Sequence, residues 1–134
     1  QVFVDGARRG YVYELQTRGL ALEVGRTHQI AFQQSGCEPF ETVVRIAPDA
    51  TTGPSISYQC DFLPARFKVV SNVKADVLSS LDGRRLGSTN QEIPQQMDAL
   101  SKPLKLTVRT PDGKSERRAL RLKAGEKVEV KVLF

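Results

Sequence analysis

Two stretches of this 134-residue chain share the same order of turn and strand residues. "VFVDGARRGYVYEL" starts at Val2 and "SSLDGRRLGSTNQEI" starts at Ser79, so Asp5-Gly6 corresponds to Asp82-Gly83. An Asp-Gly pair between alternating residues signals a tight hairpin, because Gly accepts a positive φ and Asp tolerates one. The same hairpin signal seen twice predicts one supersecondary unit that is used twice.

Alternating apolar residues close both halves of the chain. A slip of one residue would send every such side chain to the opposite face of its sheet, so matching series at matching places indicate the same sheet built twice. We therefore predict an all-β fold of two tandem small antiparallel β-sandwich domains, residues 1–63 and 64–134. The corresponding series are Ile56, Tyr58, Cys60 and Phe62 in the first half and Val128, Val130, Val132 and Phe134 in the second.

The first half reads as a run of short strands. After the hairpin, the segments "RRGYVYEL", "LALEV", "THQIAFQQ", "FETVVRI" and "SISYQCDFL" each carry strand-type alternation. The second half repeats this order except in "NQEIPQQMDALSKP", where Pro94 could start a helix that Pro103 ends. We predict either a short helical turn near residues 94–101 or an irregular loop in place of the "LALEV" strand.

The composition indicates a folded domain with a mixed surface. Apolar residues make up 40% and charged residues 26% of the chain, and no apolar run approaches the roughly 20 residues that cross a bilayer. The net charge is +5, but Lys and Arg alternate with acidic residues, as in "KAGEKVEVK". We predict no nucleic-acid partner and no membrane insertion by this segment, and we expect a chain that opens in mid-strand at Gln1 to belong to a longer protein.

Two cysteines, Cys37 and Cys60, are too few and too far apart for a zinc site. Cys60 belongs to an inward-facing series, whereas Cys37 lies in the turn "SGCEP". They would form a disulfide across neighbouring strands in an oxidising compartment, or remain two buried thiols in the cytosol. Both readings stay open at the level of sequence.

The sequence contains no clear pattern of catalytic residues. His28 is the single histidine and alternates with Ile30 and Phe32, which predicts a packed strand residue; we predict no catalytic residue, no metal site, no cofactor and no enzymatic activity in this chain.

An Arg pair follows the same turn in each half. Guanidinium groups suit carboxylate or phosphate partners, but charges on hairpins also protect sheet edges from association. The candidate interaction surface comprises Arg8, Arg9, Arg84 and Arg85.

The order of these features resembles the PEGA domain, a small bacterial β-sandwich. The matching stretches are "VFVDGARRG" and "LEVGRTHQIAFQQSG" in the first copy, and "FKVVSNVKADVLSSLDGRRLGST" and "PLKLTVRTPDG" in the second. The letters P-E-G-A do not occur, and the first copy lacks the family's opening strand. The resemblance implies a non-catalytic extracytoplasmic region of a larger bacterial protein, such as one carrying a Ser/Thr protein kinase. It also implies a protein or cell-envelope partner. The paired arginines give the alternative, which is a module that binds a glycan or peptidoglycan.

Overall fold

A computed structural model describes residues 1–51 and 53–134 and is predominantly β-structure, as predicted. The chain divides into two compact units, unit 1 over Gln1–Asp61 and unit 2 over Phe62–Phe134. The predicted division lay between residues 63 and 64. Each unit has its own buried apolar cluster, and each is described by itself below.

Unit 1 is built on one four-stranded antiparallel sheet whose order is β2-β1-β3-β4. Alternate residues of the strands form its buried face, including Val2, Ile30 and Phe32. A short helix and irregular segments pack on this face, where the sequence predicted a second sheet. The elements are β1 Val2–Val4, β2 Ala7–Gly10, α1 Val12–Arg18, β3 Thr27–Phe32 and β4 Phe40–Arg45.

Unit 2 has two sheets, of order β10-β9-β6-β7 and β11-β5-β8, which enclose one apolar core. Phe67 and Val69 from one sheet and Leu106 and Val108 from the other are fully buried in that core. The pairing is antiparallel except between β5 and β11, which run parallel, a departure from the wholly antiparallel prediction. The strands are β5 Ala65–Ser71, β6 Asp76–Ser79, β7 Arg85–Ser88, β8 Glu92–Gln95, β9 Ser101–Arg109, β10 Ser115–Lys123 and β11 Lys127–Val132.

The four-stranded sheets of the two units have the same strand order. Val2 pairs with Gly10 in unit 1 and Val77 pairs with Gly87 in unit 2, and the register shifts directly after each of these pairs. A bulge of this kind adds a residue to one strand and increases its twist, so its recurrence at one position indicates the same supersecondary unit. Unit 2 has two more residues between this position and the Asp-Gly pair than unit 1, and they lie in the hairpin connection after β6, which ends at Ser79.

Helix α1 replaces most of the predicted return strand "RRGYVYEL". The strand ends at Gly10, whose φ of 138° turns the chain away from the sheet, a conformation that favours Gly. Glu14 then accepts a hydrogen bond from the backbone N–H of Tyr11 at 3.2 Å, and Gly19 ends the helix with a φ of 74°. The predicted strand "LALEV" is likewise wrong, because residues 19–23 form no regular element.

The predicted helical turn at residues 94–101 is wrong. Pro94 lies in β8, where it pairs with Arg66, and the chain bends over residues 98–100 before β9 starts. Because β8 is an edge strand, it tolerates a proline that cannot donate a backbone hydrogen bond. Met97 packs into the core of unit 2 from this irregular stretch.

Residues 54–60, called the extended segment below, correspond in sequence to β11 but belong to no sheet. Their burial still alternates as predicted, with Ile56, Tyr58 and Cys60 half-buried between exposed neighbours. In unit 2 the partner of β11 is β5, the central strand of its sheet. Among the described residues of unit 1 there is no counterpart of β5, and the extended segment pairs with none of the four strands.

A disulfide between Cys37 and Cys60 fixes the end of the extended segment. The Cα atoms are 5.3 Å apart, and next to the bridge Glu38 donates a backbone hydrogen bond to the carbonyl oxygen of Asp61. A covalent link removes conformational freedom from the unfolded chain and so stabilises the folded state. The bridge therefore takes over some of the restraint that strand pairing gives β11 in unit 2.

Reduction of this bridge should destabilise unit 1 selectively. The two cysteines are 23 positions apart, and opening a loop of this size costs about 3 kcal/mol of folding free energy. We expect the double change Cys37→Ser and Cys60→Ser to lower the urea midpoint of unit 1, followed through its amide signals by NMR. Unit 2 contains no cysteine and serves as the internal control; equal shifts in both units, or none, would contradict the expectation.

Candidate functional site

The buried face of the unit 1 sheet is covered loosely, which leaves a groove of about 760 Å³ whose lining is mainly apolar but includes Gln16 and Arg18. The strands supply one wall and α1 supplies another, while the extended segment lines a third side through Pro54, Ser55 and Ile56. Its size falls within the range of pockets that hold ligands in other proteins. This space, called the unit 1 groove, is lined by apolar residues that include Val12, Leu15, Leu20, Leu22, Val24, Ile30, Val44, Ile46 and Ile56.

Polar groups of the extended segment are left without partners. Within the part of the chain that the structure describes, residues 54–60 donate and accept no backbone hydrogen bond. The ring of Tyr58 stacks on Phe32 with centroids 4.7 Å apart, and its buried hydroxyl has no hydrogen-bond partner among the described residues. Buried backbone groups that lack a partner are rare in folded proteins, whereas residues 54, 55, 57 and 59 are exposed to solvent. The groove thus borders a backbone able to form further hydrogen bonds.

His28 is buried in a polar contact that ties the β1–β2 hairpin to the loop before β3. Its Nδ1 lies 2.7 Å from Oδ2 of Asp5, and its Nε2 lies 2.9 Å from the carbonyl oxygen of Glu23. A carbonyl and a carboxylate can only accept, so the contact is complete when both ring nitrogens carry a proton. The predicted packed position of His28 is correct, but its partners could not be read from the sequence. The equivalent position of unit 2 is Leu104, since Ile30 matches Leu106 in the aligned strands.

These contacts shift the pKa values of both groups. The hydrogen bond to Glu23 and the bond to Asp5 raise the pKa of His28 above 6.5. The hydrogen bond from the backbone of Gln29 and the bond to His28 lower the pKa of Asp5 below 3.8. Hydrogen bonds that favour the charged form cause both shifts. Both pKa shifts therefore favour the form of the pair in which His28 is an imidazolium and Asp5 is a carboxylate.

The four predicted arginines have different surroundings. Arg9 donates to the carbonyl oxygen of Ala21 at 2.8 Å, and Arg85 bonds Asp76 and Ser88, so both hold local structure. Arg8 and Arg84 are exposed. Because β2 and β7 are edge strands, edge protection accounts for the placement of Arg8, Arg9 and Arg85. A shared role of the four in binding stays a prediction.

Tyr11 and Tyr13 form an exposed aromatic surface on unit 1. Their rings stack with centroids 5.5 Å apart and an interplanar angle of 11°, and the guanidinium of Arg8 lies 4.9 Å from the Tyr11 centroid. The side of Tyr13 remains open, since 70% of this residue is exposed. A flat aromatic pair beside a cation can contact a sugar ring and an acidic group. The sequence assigned both tyrosines to a strand, whereas Tyr11 caps the start of α1 and Tyr13 lies in its first turn.

Among the described residues, no helix is long and apolar enough to cross a membrane. That part of the chain also contains no group of three or more His, Cys, Asp and Glu side chains placed to hold a metal ion. A scan of protein-family models, a search of curated proteins and a search of solved structures each found no match.

The His28–Asp5 contact predicts a bell-shaped contribution to the stability of unit 1. The His28 contribution is complete below pH 6.5 and is lost as the pH rises through its raised folded-state pKa. The Asp5 contribution is present above pH 3.8 and is lost as the pH falls through its lowered folded-state pKa. In urea unfolding, the free energy of unfolding of the wild type should exceed that of His28→Leu by the largest amount between pH 3.8 and 6.5. We choose Leu because Leu104 occupies the equivalent position in unit 2. A difference that does not vary with pH would refute this assignment.

Proposed function

We propose that this chain is a non-catalytic binding region of a larger bacterial protein, located outside the cytoplasm, and that unit 1 carries the binding site for a polypeptide partner. The observation that supports this most directly is the unit 1 groove. A groove lined by apolar side chains and bordered by unpaired backbone suits a peptide, which brings both apolar side chains and backbone donors and acceptors.

The resemblance to PEGA domains supports the wider setting in this proposal. The two units share a sheet order, a hairpin and a bulge, as expected of tandem copies of one domain. The disulfide fits an oxidising compartment, because cytosolic reductants keep most thiols reduced. The larger protein would be of the kind that the resemblance implies, in which such domains lie beyond a membrane segment or accompany a Ser/Thr protein kinase.

Selection from a random phage-displayed library of 12-residue peptides tests whether unit 1 binds polypeptides. We expect enriched peptides to carry apolar residues and to bind the whole chain in calorimetric titration. Val24 lines the groove and is half exposed, so Val24→Asp should leave the fold intact and weaken binding at least about tenfold by placing a charge in an apolar site. Leu81→Asp, at an exposed position of unit 2, is the matched control. The proposal fails if no peptide is enriched, or if both changes weaken binding equally.

A second candidate function is recognition of an acidic glycan or peptidoglycan. The stack of Arg8, Tyr11 and Tyr13 favours it, because aromatic faces contact sugar rings and guanidinium groups pair with carboxylates. In this function the arginine of the second hairpin, Arg84, would offer a further exposed cation.

Titration with soluble peptidoglycan fragments tests the glycan function. Binding should weaken as salt is added and should be lost when Arg8, Arg9, Arg84 and Arg85 are all changed to Glu. A variant with the same net charge controls for non-specific attraction and should retain binding. Equal loss in both variants, or no binding by wild type, would remove this candidate. The control changes to Glu are at the exposed residues Arg109, Arg117, Lys123 and Lys131.

A further inference from the structure

The four-stranded sheet of unit 2 presents a cationic surface on the side away from the core. In β9, Lys105 and Arg109 are exposed, whereas Leu106 and Val108 between them are buried. Residues paired across two strands share a face of the sheet, so the register of β9 with its neighbours identifies the other members of this surface. The surface, called the cationic face below, carries Arg85, Lys105, Arg109, Arg117, Arg121 and Lys123.

The cationic face accounts for the net charge of the chain. The strands place one carboxylate on this face, that of Asp76, and Arg85 contacts it at 3.1 Å. Six cations and one carboxylate give the face a net charge of +5, which is also the net charge of the whole chain. All other Lys, Arg, Asp and Glu residues therefore cancel, and the mixing of charges along the sequence does not extend to this surface.

The cations of β9 and β10 are staggered and lie opposite uncharged residues. Arg117 is paired with Thr107, and Lys105 is paired with Ala119. Cations therefore meet one another on the diagonals between the strands, where side chains are roughly 7–8 Å apart, and none of them faces an acidic residue across the pair. The remaining pairs are Arg109 with Ser115, Arg121 with Pro103 and Lys123 with Ser101.

The second sheet of unit 2 has a mixed outer face and serves as a comparison. Lys68 lies opposite Glu129 on one side and Glu92 on the other. Lys127 of the same face lies 3.0 Å from a carboxylate oxygen of Glu92 and 3.6 Å from one of Glu129. Opposite charges across neighbouring strands stabilise a sheet. The cations of β9 and β10 have no such partners across their pair, so they do not stabilise their sheet in this way.

Protection of sheet edges explains only part of the cationic face. β10 and β7 are edge strands, where charged side chains hinder association with another sheet. β9 lies between β10 and β6, yet it contributes Lys105 and Arg109. A central strand has no free edge to protect. These two cations therefore indicate a partner of complementary charge.

We propose that the cationic face docks unit 2 on the surface of an anionic phospholipid bilayer. Lys and Arg side chains that lie close together are attracted by the negative potential of such a surface. The β6–β7 connection adds an apolar contact. Oγ of Ser80 lies 2.8 Å from Oγ1 of Thr107 on the cationic face, and the next residue, Leu81, is 95% exposed. An apolar side chain of this kind enters the boundary between headgroups and acyl chains when a protein lies on a membrane.

This inference goes beyond the proposed function, because it concerns unit 2 and attachment to a membrane surface without a span. A soluble polyanion matches fewer features. Proteins that bind single-stranded nucleic acids stack bases on aromatic side chains, and no residue of the cationic face is aromatic. The phosphates of a nucleic acid or the acidic groups of a glycan would pair with the cations but would leave Leu81 in water. A bilayer contacts both the cations and the leucine.

Flotation of the whole chain with lipid vesicles tests the proposal. We expect the wild type to bind vesicles of equal parts phosphatidylglycerol and phosphatidylcholine, to dissociate as salt is added, and not to bind phosphatidylcholine alone. A face variant should bind at least about 50-fold less tightly, because each cation near an anionic membrane contributes roughly a fivefold factor. The face variant combines Lys105→Gln, Arg109→Gln and Arg117→Gln.

A control variant removes the same charge from the outer face of the second sheet and should bind like the wild type. That face lies across the core from the cationic face, and packed sheets are roughly 10 Å apart, which exceeds the screening length at physiological salt. Amide spectra should show that both variants are folded. The control variant combines Arg66→Gln, Lys68→Gln and Lys131→Gln.

Two further measurements separate a bilayer from a soluble polyanion. Leu81→Ser should weaken vesicle binding at least about threefold, because an apolar contact is lost, and should not change binding to heparin. In the wild type, short-chain phosphatidylglycerol should shift amide signals of β9 and β10 but not those of β5 and β11. This measurement needs no variant and so does not depend on the folding of one.

Four results would overturn the proposal. They are no binding of the wild type to phosphatidylglycerol vesicles at low salt, equal loss of binding in the face and control variants, lipid-induced shifts confined to β5 and β11, and tighter binding to heparin or duplex DNA than to vesicles with no effect of Leu81→Ser on vesicle binding. The last result would assign the cationic face to a soluble polyanion.

Discussion

An antiparallel sheet with one apolar face needs a second layer over that face, and this requirement governs both units. Unit 2 meets it with a sheet in which β5 is held on both sides, so that Phe67 and Val69 lie at the centre of a closed core. Unit 1 meets it with α1, the irregular stretch at 19–23 and the extended segment. The same sheet is thus covered in two ways, one of which leaves a groove.

The cover of unit 1 is secured by contacts that unit 2 does not have. The disulfide holds Cys60 at one end of the extended segment, and buried His28 connects the first hairpin to the loop before β3. The residues of these two contacts do not line the groove. Their effect is to fix the rim of the groove, so that a ligand would meet a largely preformed site and lose less free energy on ordering it.

Features that depend on local periodicity could be predicted from the sequence. The prediction was wrong for segments whose structure depends on pairing with strands distant in the sequence. Asp5-Gly6 and Asp82-Gly83 identified both hairpins, and the burial of Ile56, Tyr58 and Cys60 alternates as their spacing required. The segment after Gly10 has the alternating pattern of a strand, but it can extend a sheet only if a neighbouring strand is available. Gly10 turns the chain away from the sheet, and the segment forms α1 instead.

The groove could not be predicted from the sequence, because it too depends on contacts between distant segments. Leu20, Leu22 and Val24 alternate, so they were assigned to a strand face, and only the three-dimensional structure places them on an incompletely filled layer.

Comparison of the two units separates the features that both sheets share from those that differ. The shared features, which are the sheet order, the hairpin and the bulge after Val2 and Val77, are those that a stable sheet requires of either copy. The differences are concentrated in the layer that covers the sheet, where α1 stands in place of β8 and the extended segment in place of β11. The loosely packed cover over the apolar sheet face of unit 1 leaves the groove that we propose as a binding site for a polypeptide.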